Sequence, residues 1–232
     1  MSKKYGIGTS LSNQETISGF IWLAFQMLAL PDILRWINLQ CGFGLNTAEL
    51  NFVYYIINFL AILLIFHDYL THGLQQVTRH PIVFFEAVVL GFVAYYVLNY
   101  LTTWVIRLLV PSFSNYNDAS IAAMSHGNFF LMFIGTVILV PPVEECLFRG
   151  LIFRNLYGRN HLAAYIVSIM AFAAIHILGY IGKYSALELL MACLQYLPAG
   201  LCLAWSYARG ETIFAPILIH AAINFLTIRH MR

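Results

Sequence analysis

An all-α, multi-pass membrane bundle of about six to eight spanning helices around a polar intramembrane site is the fold this sequence predicts. Three observations predict it. Charged residues make up 9% of the 232-residue chain and hydrophobic residues 61%, where an average soluble domain is about 25% charged. The mean hydropathy is +0.77. Apolar runs recur at 16–30, 50–66, 82–106, 128–143, 162–179, 185–206 and 211–228, and a spanning helix takes about 20 mostly apolar residues. Finally, small groups of ionisable side chains sit within or beside these runs, where hydrocarbon makes them costly.

The first run reads as a spanning helix, since no small-residue cleavage site of an export signal follows it. Pro31 ends or kinks it. The second run leads into HDYLTHGLQQVTRH, 67–80, read as a polar loop. The third, 82–106, is long enough to tilt. A second polar connection follows, PSFSNYNDASIAAMSHGN, with enough chain to cover a site. The expected division is residues 1–110 as N-terminal spanning helices, 111–127 as a connecting loop, 128–228 as a helical core and 229–232 as a basic tail. Lys3, Lys4, Arg229 and Arg232 favour a cytoplasmic location for both termini. Both hold only with an even number of spans, so among seven runs one is re-entrant or one hides two helices.

The core begins with PPVEECLFRG, 141–150. Pro141 and Pro142 interrupt the ladder before them, and proline is tolerated in a first turn. A fresh helix is expected from about Pro142, with Glu144 and Glu145 in its first turn. Glu145 and Arg149 are four apart and share a face, so they can pair. Glu144 points about 100° away, free to face a cavity. An ion pair at a helix end near the interface accounts for the same residues. Arg154 and Arg159 read as snorkelling or end-marking residues.

In HLAAYIVSIMAFAAIHILGY, His176 is the one strongly polar side chain after Ser168, and Phe172 precedes it by one turn. In ETIFAPILIHAAINFLTIRH, His220 and Asn224 share one stripe, with Pro216 one turn earlier to bend the helix. Each has a structural reading as an interhelical hydrogen bond or core packing. Together, three apolar helices supply a carboxylate, two imidazoles and an amide. That set suits general-base hydrolysis. Glu144 takes a proton from water beside His176, while His220 and Asn224 donate to a developing oxyanion. Two histidines and a glutamate are also a zinc ligand set, though no HExxH is present. Cys41, Cys146, Cys193 and Cys202 are scattered without a CxxC. Nothing marks Cys146 as an activated thiolate.

EECLFR at 144–149, FAAIH at 172–176 and HAAIN at 220–224 resemble, in order, the EExxxR, FxxxH and HxxxN motifs of the CPBP family of intramembrane proteases, whose eukaryotic relatives cut prenylated CaaX proteins. The resemblance covers roughly 128–228. It implies a glutamate protease in which Glu144 with His176 activates water and His220 and Asn224 form the oxyanion site. Glu145 and Arg149 read as a supporting pair, and Phe172 as a wall of the histidine's pocket. It implies no cofactor and no metal. The expected partners are the lipid bilayer and a membrane-associated peptide or protein substrate, with no nucleic acid, and the expected location is a bacterial plasma membrane. The family's bacterial members also include bacteriocin self-immunity proteins and proteins that act by binding a membrane partner, so a non-enzymatic role is the alternative. A transporter is third, because paired broken helices in two related halves are not apparent.

Overall fold

A computed structural model describes residues 11–230. Lys3, Lys4 and Arg232, on which the topology argument partly rests, lie outside the described residues. All regular structure among these residues is helical: α1 (Asn13–Leu28), α2 (Leu30–Cys41), α3 (Thr47–Ile65), α4 (His67–Arg79), α5 (Pro81–Leu109), α6 (Tyr116–Phe133), α7 (Val140–Glu145), α8 (Arg154–Tyr157), α9 (His161–Ile177), α10 (Ala186–Gly210) and α11 (Phe214–His230). Two π-helical stretches, Ile134–Leu139 and Cys146–Phe153, join α6, α7 and α8 into one helical rod, Tyr116–Tyr157.

Among the described residues, five helical segments are long and apolar enough to cross a membrane: α3, α5, the rod, His161–Tyr180 and α10. The α1–α2 pair, bent by 52°, supplies a sixth if it counts as one broken span. The protein is therefore an integral, multi-pass membrane protein. The count falls at the low end of the expected six to eight because the last run forms a helix of only 17 residues. At 1.5 Å per residue that is about 25 Å, short of a roughly 30 Å hydrocarbon core.

Local chemistry explains the helix boundaries. Ser12 with Glu15, Asn46 with Glu49 and Ser185 with Glu188 form capping boxes at α1, α3 and α10, each satisfying otherwise orphaned N–H groups. The α1–α2 break lies at Ala29, just ahead of Pro31, which occupies the first turn of α2. Proline is tolerated there because that N–H has no helical partner.

Two segments expected as loops are helical. The stretch 67–80 forms α4, which buries Tyr69 and Gly73. Gly73 lies against Thr212, Ile213 and Phe214, and its carbonyl accepts from Thr212 Oγ1 at 2.8 Å. Average polarity hid a helix that buries one stripe. The 111–127 segment is helical from Tyr116, because Asn115 caps α6 through the N–H groups of Asn117 and Asp118. A kink follows at Asn128 (φ −142°, ψ 45°).

Nor do Pro141 and Pro142 start a new helix. The rod runs through them by shifting register, with the Val140 N–H bonding to the Gly135 carbonyl five residues back. Behind this stretch, α10 packs against α5, α9 and α11. Phe148, Phe172, Leu203, Ile219 and Ile223 form the apolar floor below the polar cluster.

Candidate active site

The register shift at the prolines builds one side of the site. In the π register the Thr136 carbonyl would meet the N–H of residue 141, and Pro141 has none. Val140 is already bonded to Gly135. Asn224 Nδ2 takes that place, donating to Thr136 O at 2.8 Å. A carbonyl only accepts, so the amide orientation is determined. The second N–H of Asn224 remains for the cavity that its side chain lines.

Glu145 and Arg149 are fully buried, four residues apart on one face. Arg149 donates to Glu145 Oε1 at 3.1 Å and to the Gly200 carbonyl at 3.2 Å. Its guanidinium carbon lies 4.4 Å from the centre of the Phe172 ring, a cation–π contact. Glu145 Oε1 also accepts from His220 Nδ1 at 2.8 Å. The expected ion pair is present, and it also anchors a histidine from α11. Glu145 Oε2, Arg149 Nε and Glu144 Oε2 are buried without a hydrogen-bond partner among the described residues, a concentration of unmet polar groups at one place.

Glu144, one residue earlier, faces the cavity with 18% of its side chain exposed. Its Oε2 is 3.9 Å from His220 Nε2, too far for a direct hydrogen bond. His176 Nδ1 bonds to the Phe172 carbonyl at 2.8 Å, and its ring stacks on Tyr196 with centroids 4.2 Å apart. Phe172 lies between the two imidazoles, 4.8 Å from His176 and 5.7 Å from His220.

These contacts fix the proton positions. The Nδ1 of His176 faces a carbonyl and that of His220 faces a carboxylate beside arginine, so both carry hydrogen. In the neutral rings each Nε2 is then a bare lone pair. This alters one sequence expectation. Neutral His220 cannot donate through Nε2, so donation to an oxyanion requires its imidazolium.

Glu144, His176, His220, Asn224 and Phe172 all line one cavity of about 300 Å³. Glu145 and Arg149 stand behind its wall. A second cavity of about 350 Å³, lined by α1, α3 and α9, meets the first at Tyr55, Val140, Glu144 and Ile175. Glu144 is thus on the partition between them. Tyr55 fits there because Gly135 has no side chain; an added Cβ would lie 2.5 Å from the tyrosine ring. Among the described residues, no three His, Cys, Asp or Glu side chains are placed to hold one metal ion.

Tyr55, Thr136, Tyr196 and Asp118 also line the main cavity and were not legible as site residues. Tyrosine carries no signal in a chain with 14 of them, and Thr136 acts through its backbone. The one available clue to Thr136 was Pro141, five residues later.

Residues 126–226 match the family described as Type II CAAX prenyl endopeptidase Rce1-like. The Bacillus subtilis (strain 168) protein named "Putative membrane peptidase YdiL" is 31% identical over 99 residues, covering 42% of this chain. The match spans 36% of that relative's length. No solved structure matches the chain significantly.

Proposed function

We propose that the chain, whose residues 126–226 match the Type II CAAX prenyl endopeptidase Rce1-like family, is a CPBP-type intramembrane endopeptidase acting on a membrane-associated peptide or protein. One observation carries the proposal: Glu144, His176, His220 and Asn224, from three helices, line the same cavity.

In the proposed reaction Glu144 is the general base. It takes one proton from a water whose other hydrogen is held by the bare Nε2 of His176. The water oxygen bonds to the scissile carbonyl carbon, and the carbonyl electrons move onto oxygen. That oxyanion accepts from the free N–H of Asn224 and from Nε2–H of His220 in its imidazolium form. Glu145 on one side and Glu144 on the other stabilise the positive ring. Collapse breaks the C–N bond, and Glu144 returns its proton to the leaving nitrogen. Phe172 and Tyr196 fix the His176 ring and keep the site apolar, which strengthens each of these interactions.

The test is to compare peptides in membrane and medium from cells expressing wild type or Glu144→Gln at matched levels. The proposal expects at least one intact precursor to accumulate with the variant only. Identical profiles with an unchanged phenotype would favour the non-enzymatic, partner-binding reading.

A further inference from the structure

We propose that Asp118 is the recognition group for a basic side chain of the substrate, so that this site selects a cationic peptide. The inference rests on the endopeptidase reading and names its substrate class.

Asp118 stands at the third helical position of α6. Four other helices carry an acid at that position. Glu15, Glu49 and Glu188 fold back to bond the backbone N–H of their capping residues, and Asp32 pairs with Arg35 at 2.9 Å. Asp118 does neither. Its backbone N–H is taken by Asn115 Oδ1, while its side chain lines the cavity that holds Glu144 and His176. Favourable placement near a helix N-terminus explains an acid here. It does not explain a carboxylate directed into a cavity instead of to its cap.

The surroundings suit a cation. Asp118 also lines an outer cavity of about 370 Å³, together with Asn115 and Gln195. It therefore stands where the outer space opens into the site. Among the described residues, no lysine or arginine lines the inner cavity. Arg107 borders the outer one, but no ion pair joins it to Asp118 among the described residues. Tyr95 and Tyr196 line the same cavity. Asn115, Asn117 and Gln195 line the cavity with Asp118, but none of them brings a positive charge, and a substrate lysine or arginine would supply one. The cavity has one carboxylate at each end: Asp118 towards the outside, and Glu144 at the inner partition.

Binding and cleavage are measured separately on N-acetylated fluorescent peptides that differ at one position: lysine, norleucine or glutamate. Affinities are taken for Glu144→Gln protein in detergent, so no turnover intervenes. The lysine peptide is expected to bind about tenfold more tightly than the norleucine peptide, and the glutamate peptide more weakly. Adding Asp118→Asn should abolish the lysine preference, and Asp118→Lys should reverse it, with thermal unfolding run on each variant to establish folding. A norleucine peptide with a free amino terminus separates an ammonium end from a side chain; equal gain from it overturns the side-chain assignment. Equal affinities, or a lysine preference that survives Asp118→Asn, overturn the proposal even if wild type cuts every peptide. An Asp118-dependent preference without cleavage by wild type supports Asp118 recognition and counts against the endopeptidase reading.

Discussion

Glu144 and Glu145 are chain neighbours in opposite environments. Glu145 is sealed between Arg149 and His220, while Glu144 borders two cavities. Substitutions should therefore separate catalysis from stability. Glu144→Gln keeps the shape and removes the proposed base, so activity should fall by at least about 10³-fold with little change in thermal unfolding. Arg149→Ala leaves a buried carboxylate unpaired, and breaking such a pair costs about 3–5 kcal/mol. Arg149→Met combined with Glu145→Gln should unfold at a higher temperature than Arg149→Ala, because no lone buried charge remains. It should still be inactive, since His220 loses its anionic partner. Unfolding scans in detergent beside peptide-cleavage assays check all three. The individual site residues were legible because polar groups are conspicuous in apolar helices. Their partners were not: the expectation joined Glu145 to Arg149 and missed its bond to His220, 75 residues away.

At the scale of elements, the site depends on a helix that does not follow its regular ladder. Pro141 frees the Thr136 carbonyl and Asn224 occupies it. Pro141→Ala supplies an N–H that competes for carbonyls in this stretch, loosening the hold on Asn224. The expected result is unchanged or higher thermal stability with a lower kcat, read from unfolding and steady-state cleavage together. Gly135→Ala acts on the same stretch from the other side. Its new methyl group would push into Tyr55, and overpacking of this kind costs about 1–3 kcal/mol. A lowered unfolding temperature checks it. By local pattern the two prolines mark a helix start, the position where proline costs least. In the structure the chain meets the same constraint by adding a residue to the turn and borrowing a side-chain donor from α11, an option that local pattern does not reveal.

Across the whole molecule, hydropathy revealed the fold class because long spans in lipid must satisfy their backbone internally. It misread α4, whose residues average as polar although it buries Tyr69 and Gly73, and the start of α6, which is helical through its Asn115 cap. It also gave no reason to connect distant helices. Tyr69 on α4 bonds to Tyr207 on α10 at 2.9 Å, and Trp22 on α1 to Asn58 on α3 at 3.0 Å. The candidate site extends to α3, since Tyr55 lines the cavity together with Glu144. The most direct measurement uses purified protein reconstituted in liposomes, with chelator present, and membrane peptides whose products are read by mass spectrometry. The account predicts that wild type releases fragments from a single internal peptide bond and that Glu144→Gln, folded to the same unfolding temperature, releases none. Equal fragment yields from both proteins would contradict it.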